Sequence, residues 1–331
     1  MNYSVIIPVY NRPDEIDELL ESLLSQTYQS DFEVVVVEDG SQTDCRNIVE
    51  KYLDQLNISY YYKDNSGPGD SRNYGMRKAK GDYFIIFDSD CIIPADYLEQ
   101  VEQSLQAEYV DCFGGPDAAL PSFSDVQKAI DYTMTSVLTT GGIRGASEKI
   151  GKFQPRSFNM GISRKAFEVS GGFGKIHPGE DPDLSIRLWK SGFETKLIPQ
   201  AFVYHKRRID WKKFFVQVNK FGKARPILDA WHPEYKKVTY WFPLLFISGL
   251  IVSLLLVLAG FYIPFCLYVC YFLILFADAW IKTKSLRVAM LSVRACITQF
   301  YGYAKGFAKA KYYVRLLGKN PEEAMPEMFF K

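Results

Sequence analysis

The sequence predicts an α/β fold, a doubly wound and mostly parallel sheet, followed by a pair of membrane helices. Two observations predict it. Over the first 115 residues, short apolar runs alternate with stretches of helical spacing, the pattern of a sheet whose strands are joined by crossover helices. Farther along, the 42 residues from Tyr240 to Ile281 hold a single charge, Asp278, enough for two passes of about 20 residues each with a turn near Gly260 to Pro264.

In chain order, strands are expected at Val5–Val9, Phe32–Val37, Ile58–Tyr62, Tyr83–Phe87 and Tyr109–Phe113. Helices are expected between them at Asp14–Ser25, Asp44–Leu53, Ser71–Ala79 and Ala95–Gln106. Residues 139–157 show no periodicity and contain four glycines, a stretch expected to form a substrate-binding lid. Beyond it, Arg164–Ser170 and Asp181–Ser191 read as helices, with Glu194–Pro199 and Ala201–His205 as strands. After the apolar pair, residues 286–303 are apolar but interrupted by Arg287, Arg294 and Thr298, and read as an interfacial amphipathic helix or a third span.

Charge divides the chain. Residues 1–203 carry 19 Lys/Arg against 31 Asp/Glu, while residues 204–331 carry 20 against 7. Basic residues flank both ends of the apolar pair: ten Lys/Arg between Tyr204 and Lys237, then Lys282, Lys284 and Arg287. Both ends are therefore expected in the cytoplasm, with Tyr240, Trp241 and Trp280 at the interface and the acidic half on the cytoplasmic face of the plasma membrane. Met1 leads straight into a strand-like run, so no secretory signal is expected. No nucleic-acid partner is expected, and Cys45, Cys91, Cys112, Cys266, Cys270 and Cys296, without Cys-x-x-Cys spacing, read as ordinary reduced thiols.

Asp88-Ser89-Asp90 closes the run Tyr83–Phe87, so two carboxylates lie at the C-terminal end of a buried strand, where open α/β sheets bind ligands. Carboxylates two apart at that edge can share a hard divalent cation that neutralises a diphosphate. Three further segments end at the same edge: Pro8-Val9-Tyr10-Asn11-Arg12, Glu38-Asp39-Gly40-Ser41 and Gly67-Pro68-Gly69-Asp70-Ser71-Arg72. Gly171-Gly172-Phe173 and Gly179-Glu180-Asp181-Pro182-Asp183 through Trp189 follow in the second half.

Together these segments resemble glycosyltransferase family 2, the inverting enzymes of the GT-A fold that use nucleotide sugars. The resemblance covers roughly residues 3–205. It implies that Pro8 and Tyr10 wall the base pocket and that Asp39 accepts a hydrogen bond from a uracil N–H. It further implies that Arg72 contacts the nucleotide, Asp88 the ribose, and Asp90 a Mg²⁺ or Mn²⁺ ion, with His205 as a further metal ligand. On the acceptor side, Asp181 corresponds to the catalytic base and Glu180 to the residue orienting the acceptor, with Gly172, Phe173, Arg187 and Trp189 lining the acceptor site.

Domain expectations follow: a catalytic part at 1–233, with 1–115 binding the nucleotide sugar and 116–233 on the acceptor side; two spans at 240–281; the helix at 286–303; and a basic tail at 304–331. No Gln-x-x-Arg-Trp follows Asp181, so addition of a single sugar is expected rather than polymer extrusion. The tail resembles that of bacterial transferases that build cell-surface polysaccharides on polyprenyl-diphosphate-linked sugars. This implies a nucleotide-sugar donor, expected to be UDP-linked, and a lipid-linked saccharide acceptor beside Arg207-Arg208 and Lys212-Lys213. Two other readings stay open: transfer to a polyprenyl phosphate itself, and a membrane-tethered nucleotide-sugar sensor without turnover. A dinucleotide-dependent dehydrogenase is not expected, because no Gly-x-Gly-x-x-Gly follows the first strand.

Overall fold

The computed structural model describes residues 1–118, 123–140, 152–206 and 210–330. Among these, two compact units form, one from 1–118, 152–206 and Phe330, the other from 123–140 and 210–329. Part of the expected lid, residues 141–151, and the pair Arg207-Arg208 lie outside the described residues.

The first unit is built on ten strands: β1 (Tyr3–Val9), β2 (Glu33–Asp39), β3 (Asn57–Lys63), β4 (Tyr83–Phe87), β5 (Cys91–Ile92), β6 (Cys112–Gly114), β7 (Asp117–Ala118), β8 (Asn159–Ser163), β9 (Thr195–Leu197) and β10 (Val203–His205). Seven form one sheet in the order β3-β2-β1-β4-β8-β6-β9. All are parallel except β8, which runs antiparallel to β4 and β6. β8 has no counterpart among the expected strands, because Asn159-Met160-Gly161-Ile162-Ser163 lacks the β-branched run that marks one. The C-terminal strand His205 closes is not in this sheet. It lies in a second sheet, β5-β10-β7, which joins the residues just after Asp90 to His205 and Asp117.

The apolar faces of the large sheet each carry a core. Val5, Ile7, Val34 and Phe87 pack with Ile16, Leu20 and Leu98 on one side, while Ile6, Val35, Phe84 and Ile162 pack with Met76, Phe167, Leu184 and Leu188 on the other. Burial on both faces is what a doubly wound sheet requires of its central strands. The connecting helices are Pro13–Leu24, Pro68–Lys78, Tyr97–Ala107, Arg164–Ser170 and Glu180–Lys190. Asp44–Leu53, expected as one helix, is broken into Arg46–Val49 and a 3₁₀ turn at Glu50–Tyr52.

The second unit is helical: Asp125–Thr135, Trp211–Trp231, Phe242–Leu258, Ile263–Thr283 and Leu286–Ala310, with short pieces beyond. Two helices, 238–258 and 263–283, are long and apolar enough to cross a membrane. The helix expected at 286–303 runs on to Ala310 and does not lie alone: it packs against Trp211–Trp231, Asp125–Thr135 and both apolar helices. Its approach to Trp211–Trp231 is close because Gly306 faces backbone, where a Cβ would stand 2.0 Å from Asn219 O. The structure thus groups 211–231 with the apolar helices, and not, as the boundary at 233 implied, with the sheet.

Candidate active site

The loops after β1 and β2 are tied together at the edge where the strands end. Asn11 adopts φ 52° and its side-chain oxygen accepts from Gln42 N at 2.8 Å, while Asn11 N donates to Ser41 Oγ at 2.7 Å. Pro8 is half-buried beside this edge and Tyr10 is half exposed at it. Asp39, the last residue of β2, is buried, and both its oxygens are engaged. Oδ1 accepts from Lys63 Nζ at 2.6 Å and Ser66 N at 3.0 Å, and Oδ2 from Gly67 N at 3.0 Å and Asn65 Nδ2 at 3.2 Å. An N–H from a ligand therefore has to displace one of these donors.

Arg72 connects the donor edge to the helix start at Glu180. Its guanidinium is buried and 5.3 Å from the Phe173 ring; Nη2 donates to Asp88 Oδ1 at 2.7 Å, and Nη1 lies 3.6 Å from Glu180 Oε1. Glu180 also receives its own neighbour Gly179 N at 2.8 Å and faces His177 Nδ1 at 2.7 Å. Burial alone would raise the Glu180 carboxyl, but His177 and Arg72 outweigh it and hold it down at about 2. Asp181 next to it behaves oppositely. Burial and then the Glu180 charge push its carboxyl up to about 6, opposed by Arg72, and its Oδ1 is shielded from solvent with no hydrogen bond.

Asp90 follows β4 and faces His205 at the end of β10, with Asp90 Oδ1 3.1 Å from His205 Nε2. Arg12 Nη1 binds its other oxygen at 2.8 Å, and His205 stacks on Phe158 with centroids 4.8 Å apart. Burial opposes ionisation of Asp90, but His205 and Arg12 hold its carboxyl well below the usual range. The donor set fits a small divalent ion: two neighbouring ligands of an octahedral Mg²⁺ at about 2.1 Å stand about 3.0 Å apart. Asp90 Oδ1, shielded from solvent without a well-aligned hydrogen bond, matches that role. Cys91 Sγ is close to both, but burial and the neighbouring carboxylates keep it a thiol, which a hard cation does not bind.

Of the expected acceptor residues, Gly172 and Phe173 form a turn clamped to the helix Pro68–Lys78: Phe173 N donates to Asn73 Oδ1 and Asn73 Nδ2 to Phe173 O, both at 2.8 Å. Arg187 is taken up internally, by Asp183 Oδ2 at 2.9 Å and Gly172 O at 2.6 Å. Trp189 is buried and donates to Thr195 Oγ1 at 2.9 Å. Trp189 is thereby enclosed, while Arg187, tied down by these bonds, keeps its side chain partly exposed. The site also contains partners the sequence gives no role: Arg12 on Asp90, Lys63 on Asp39, His177 on Glu180, and Phe330, whose N donates to Lys175 O at 3.1 Å while its ring lies 5.7 Å from that of His177. Except for His177, three residues before Glu180, only pairing across the fold reveals these contacts.

The profile described as Glycosyl transferase family 2 matches residues 4–170, half of the chain. A glycosyltransferase of Rickettsia bellii is 41% identical over 96 residues, 29% of this chain and 14% of its own length. The poly(ribitol-phosphate) β-N-acetylglucosaminyltransferase TarS of Staphylococcus aureus strain Mu50 is 39% identical over 114 residues, 34% of this chain and 19% of its own. The chain thus matches under a fifth of the length of these relatives. Among solved structures, the mannosyltransferase PcManGT of Pyrobaculum calidifontis, in complex with GDP-Man and Mn²⁺, superposes with a TM-score of 0.60 at 17% identity, covering 94% of this chain and 87% of that one. Residues 1–349 of S. aureus TarS with UDP-GlcNAc give 0.51 at 21% identity, covering 95% and 92%. At these identities the likeness concerns the fold.

Proposed function

Because the chain belongs to glycosyl transferase family 2, we propose that it is an inverting glycosyltransferase that moves one sugar from a nucleoside diphosphate, UDP in our reading, to a lipid-linked saccharide. The observation that carries this is the Glu180-Asp181 pair: two adjacent carboxylates, one held ionised and the other pushed up to about 6, beside an arginine that reaches Asp88 at the strand edge. Environments that drive neighbouring carboxyls apart assign them different roles.

In this mechanism Asp181 Oδ1, free of hydrogen bonds, accepts the proton of the acceptor hydroxyl as its oxygen attacks the anomeric carbon. The bond from that carbon to the diphosphate breaks on the opposite face, so the configuration inverts. Glu180, fixed by His177 and Gly179 N, orients the acceptor and keeps Asp181 basic. Asp39 reads the base after giving up one loop donor, and Asp88, steadied by Arg72, takes the ribose. Asp90 and His205 would hold Mg²⁺ or Mn²⁺, which supplies charge neutralisation for the departing diphosphate.

The two apolar helices, flanked by basic residues, support a membrane anchor with the sheet unit on the cytoplasmic side, where nucleotide sugars are made. The ligands of the similar structures, GDP-Man with Mn²⁺ and UDP-GlcNAc, agree with a nucleotide-sugar donor. The test is a panel of UDP-, GDP- and dTDP-sugars offered with Mn²⁺ to the detergent-solubilised protein, with and without a lipid-linked saccharide. Release of nucleoside diphosphate from one donor, and a product of inverted configuration by NMR, is expected. Retained configuration, or no release from any donor, would overturn the proposal.

A further inference from the structure

In the helical unit, buried Asp229 on Trp211–Trp231 is surrounded by cations. Lys311 Nζ stands 3.8 Å from its Oδ2, Arg315 Nη2 donates to its backbone carbonyl at 2.9 Å, and Arg225 and Lys236 are near enough to act on its ionisation. Several other cations of this unit have carboxylates to themselves or in pairs. Lys282 meets Asp278 at 2.9 Å, Arg287 meets Asp125 at 3.3 Å, and Lys223 and Lys309 share Glu327. Around Asp229 four cations meet one carboxylate, so among the described residues about three positive charges are left without a counter-charge. The consequence is visible at Lys311, whose ammonium is held below its ordinary value first by burial and then, against the pull of Asp229, by Lys236 and Arg315.

Two of these cations are fixed on aromatic faces. The Arg225 guanidinium lies 4.5 Å from the Tyr240 ring centroid, and Lys311 Nζ lies 5.1 Å from that of Trp241. Tyr240 and Trp241 lead directly into the apolar helix Phe242–Leu258. A concentrated positive charge thus sits at the foot of a helix long and apolar enough to cross a membrane. A phosphodiester would neutralise one charge; a diphosphate carries two to three and offers oxygens for both the arginine forks and the lysine ammoniums.

We propose that Arg225, Lys236, Lys311 and Arg315 bind the diphosphate of a lipid whose chain lies along the apolar helices. This rests on the reading above that these helices enter a membrane and that the acceptor is lipid-borne; it adds the residues that hold the carrier's diphosphate.

The experiment is calorimetric titration of the full-length protein in detergent with farnesyl diphosphate, in EDTA so that no divalent ion assists binding at Asp90. Lys236→Gln/Arg315→Gln, at two exposed side chains, should weaken binding about tenfold or more. Lys305→Gln/Lys319→Gln, which removes the same charge from another exposed pair of this unit, should leave it unchanged. Equal loss in both pairs, an unaffected first pair, or no binding by the wild type would overturn the proposal. Inorganic pyrophosphate binding as tightly as farnesyl diphosphate would do so too, by making the ligand a soluble anion. Lys236→Gln alone repeats the test where thermal melting shows that the double variant has lost its fold. Donor hydrolysis by the same proteins, assayed with Mn²⁺ in place of EDTA, is read separately: if the wild type hydrolyses no nucleotide sugar, the transferase reading fails while the binding result stands.

Discussion

His177 Nδ1 lies 2.7 Å from Glu180 Oε1, and this contact sets the character of the carboxylate that follows in the chain. With Arg72 it keeps Glu180 ionised, and the charge so fixed, added to burial, keeps Asp181 far more basic than an ordinary aspartate. In the proposed mechanism, two residues joined by one peptide bond thereby divide into an anchor and a base.

The base has a pH signature. With the Asp181 carboxyl at about 6, kcat/KM should fall as pH drops below that value, because the protonated form accepts no proton. Asp181→Asn should reduce turnover about 10²-fold or more and abolish this acid limb, while UDP affinity by calorimetry stays near wild type. An unchanged limb in the variant would assign it to another group.

The same group affects stability, with a definite sign. Its folded value lies above the ordinary 3.8, so folding favours the protonated form. That stabilisation is fully present below the unfolded value and is lost as pH rises through about 6. Asp181→Asn, neutral at every pH, should therefore be more stable than wild type at pH 8, by roughly 1–3 kcal/mol in denaturant titration, and indistinguishable from it near pH 3. Equal stability at both pH values would mean that burial of Asp181 is relieved in solution.

Gly67 supplies one of the two backbone N–H donors to Asp39 and adopts φ 93°; a Cβ there would stand 2.3 Å from the Phe330 ring. Gly67→Ala should raise KM for the donor about fivefold or more with a smaller change in kcat, since the loop that holds Asp39 must shift. Adding Phe330→Ala should restore part of the loss, because it removes the clash but not the backbone strain. No recovery would mean that φ alone decides.

Asp90 is the test of metal dependence. Asp90→Ala should abolish transfer and weaken UDP binding in Mg²⁺ or Mn²⁺, and His205→Ala should do the same to a lesser degree. Activity of the wild type that survives excess EDTA would remove the metal from the mechanism.

Removal of the apolar helices should not release a soluble protein if the chain is cut after Pro233. The helix Trp211–Trp231 buries Phe214, Val218, Ile227 and Leu228 within the helical unit, and the cut takes away Leu286–Ala310, its principal partner. The truncated chain should sediment on ultracentrifugation without detergent. For the intact protein, protease added to sealed inside-out vesicles should digest the sheet unit, and right-side-out vesicles should protect it; the reverse pattern would overturn the topology.

Local pattern was enough for β1 to β4, whose apolar runs and intervening helical periods lie within short windows, and for the residue types at their ends. It also sufficed for the apolar pair, since hydropathy needs no partner to be read. What depends on distant pairing was decided by the tertiary structure. β8 is a strand because β4 and β6 offer their edges to it, not because Asn159–Ser163 has a strand's composition. Arg12 reaches Asp90 across 78 positions, and β10 carries His205 to it by pairing with Cys91–Ile92, although Asp90 and His205 were each legible as candidates. Arg187 and Trp189, equally prominent in the sequence, are tied to Asp183, Gly172 and Thr195. A residue type announces which chemistry is available; the packing of separate elements determines which groups are buried, which are already paired, and so which of them can act.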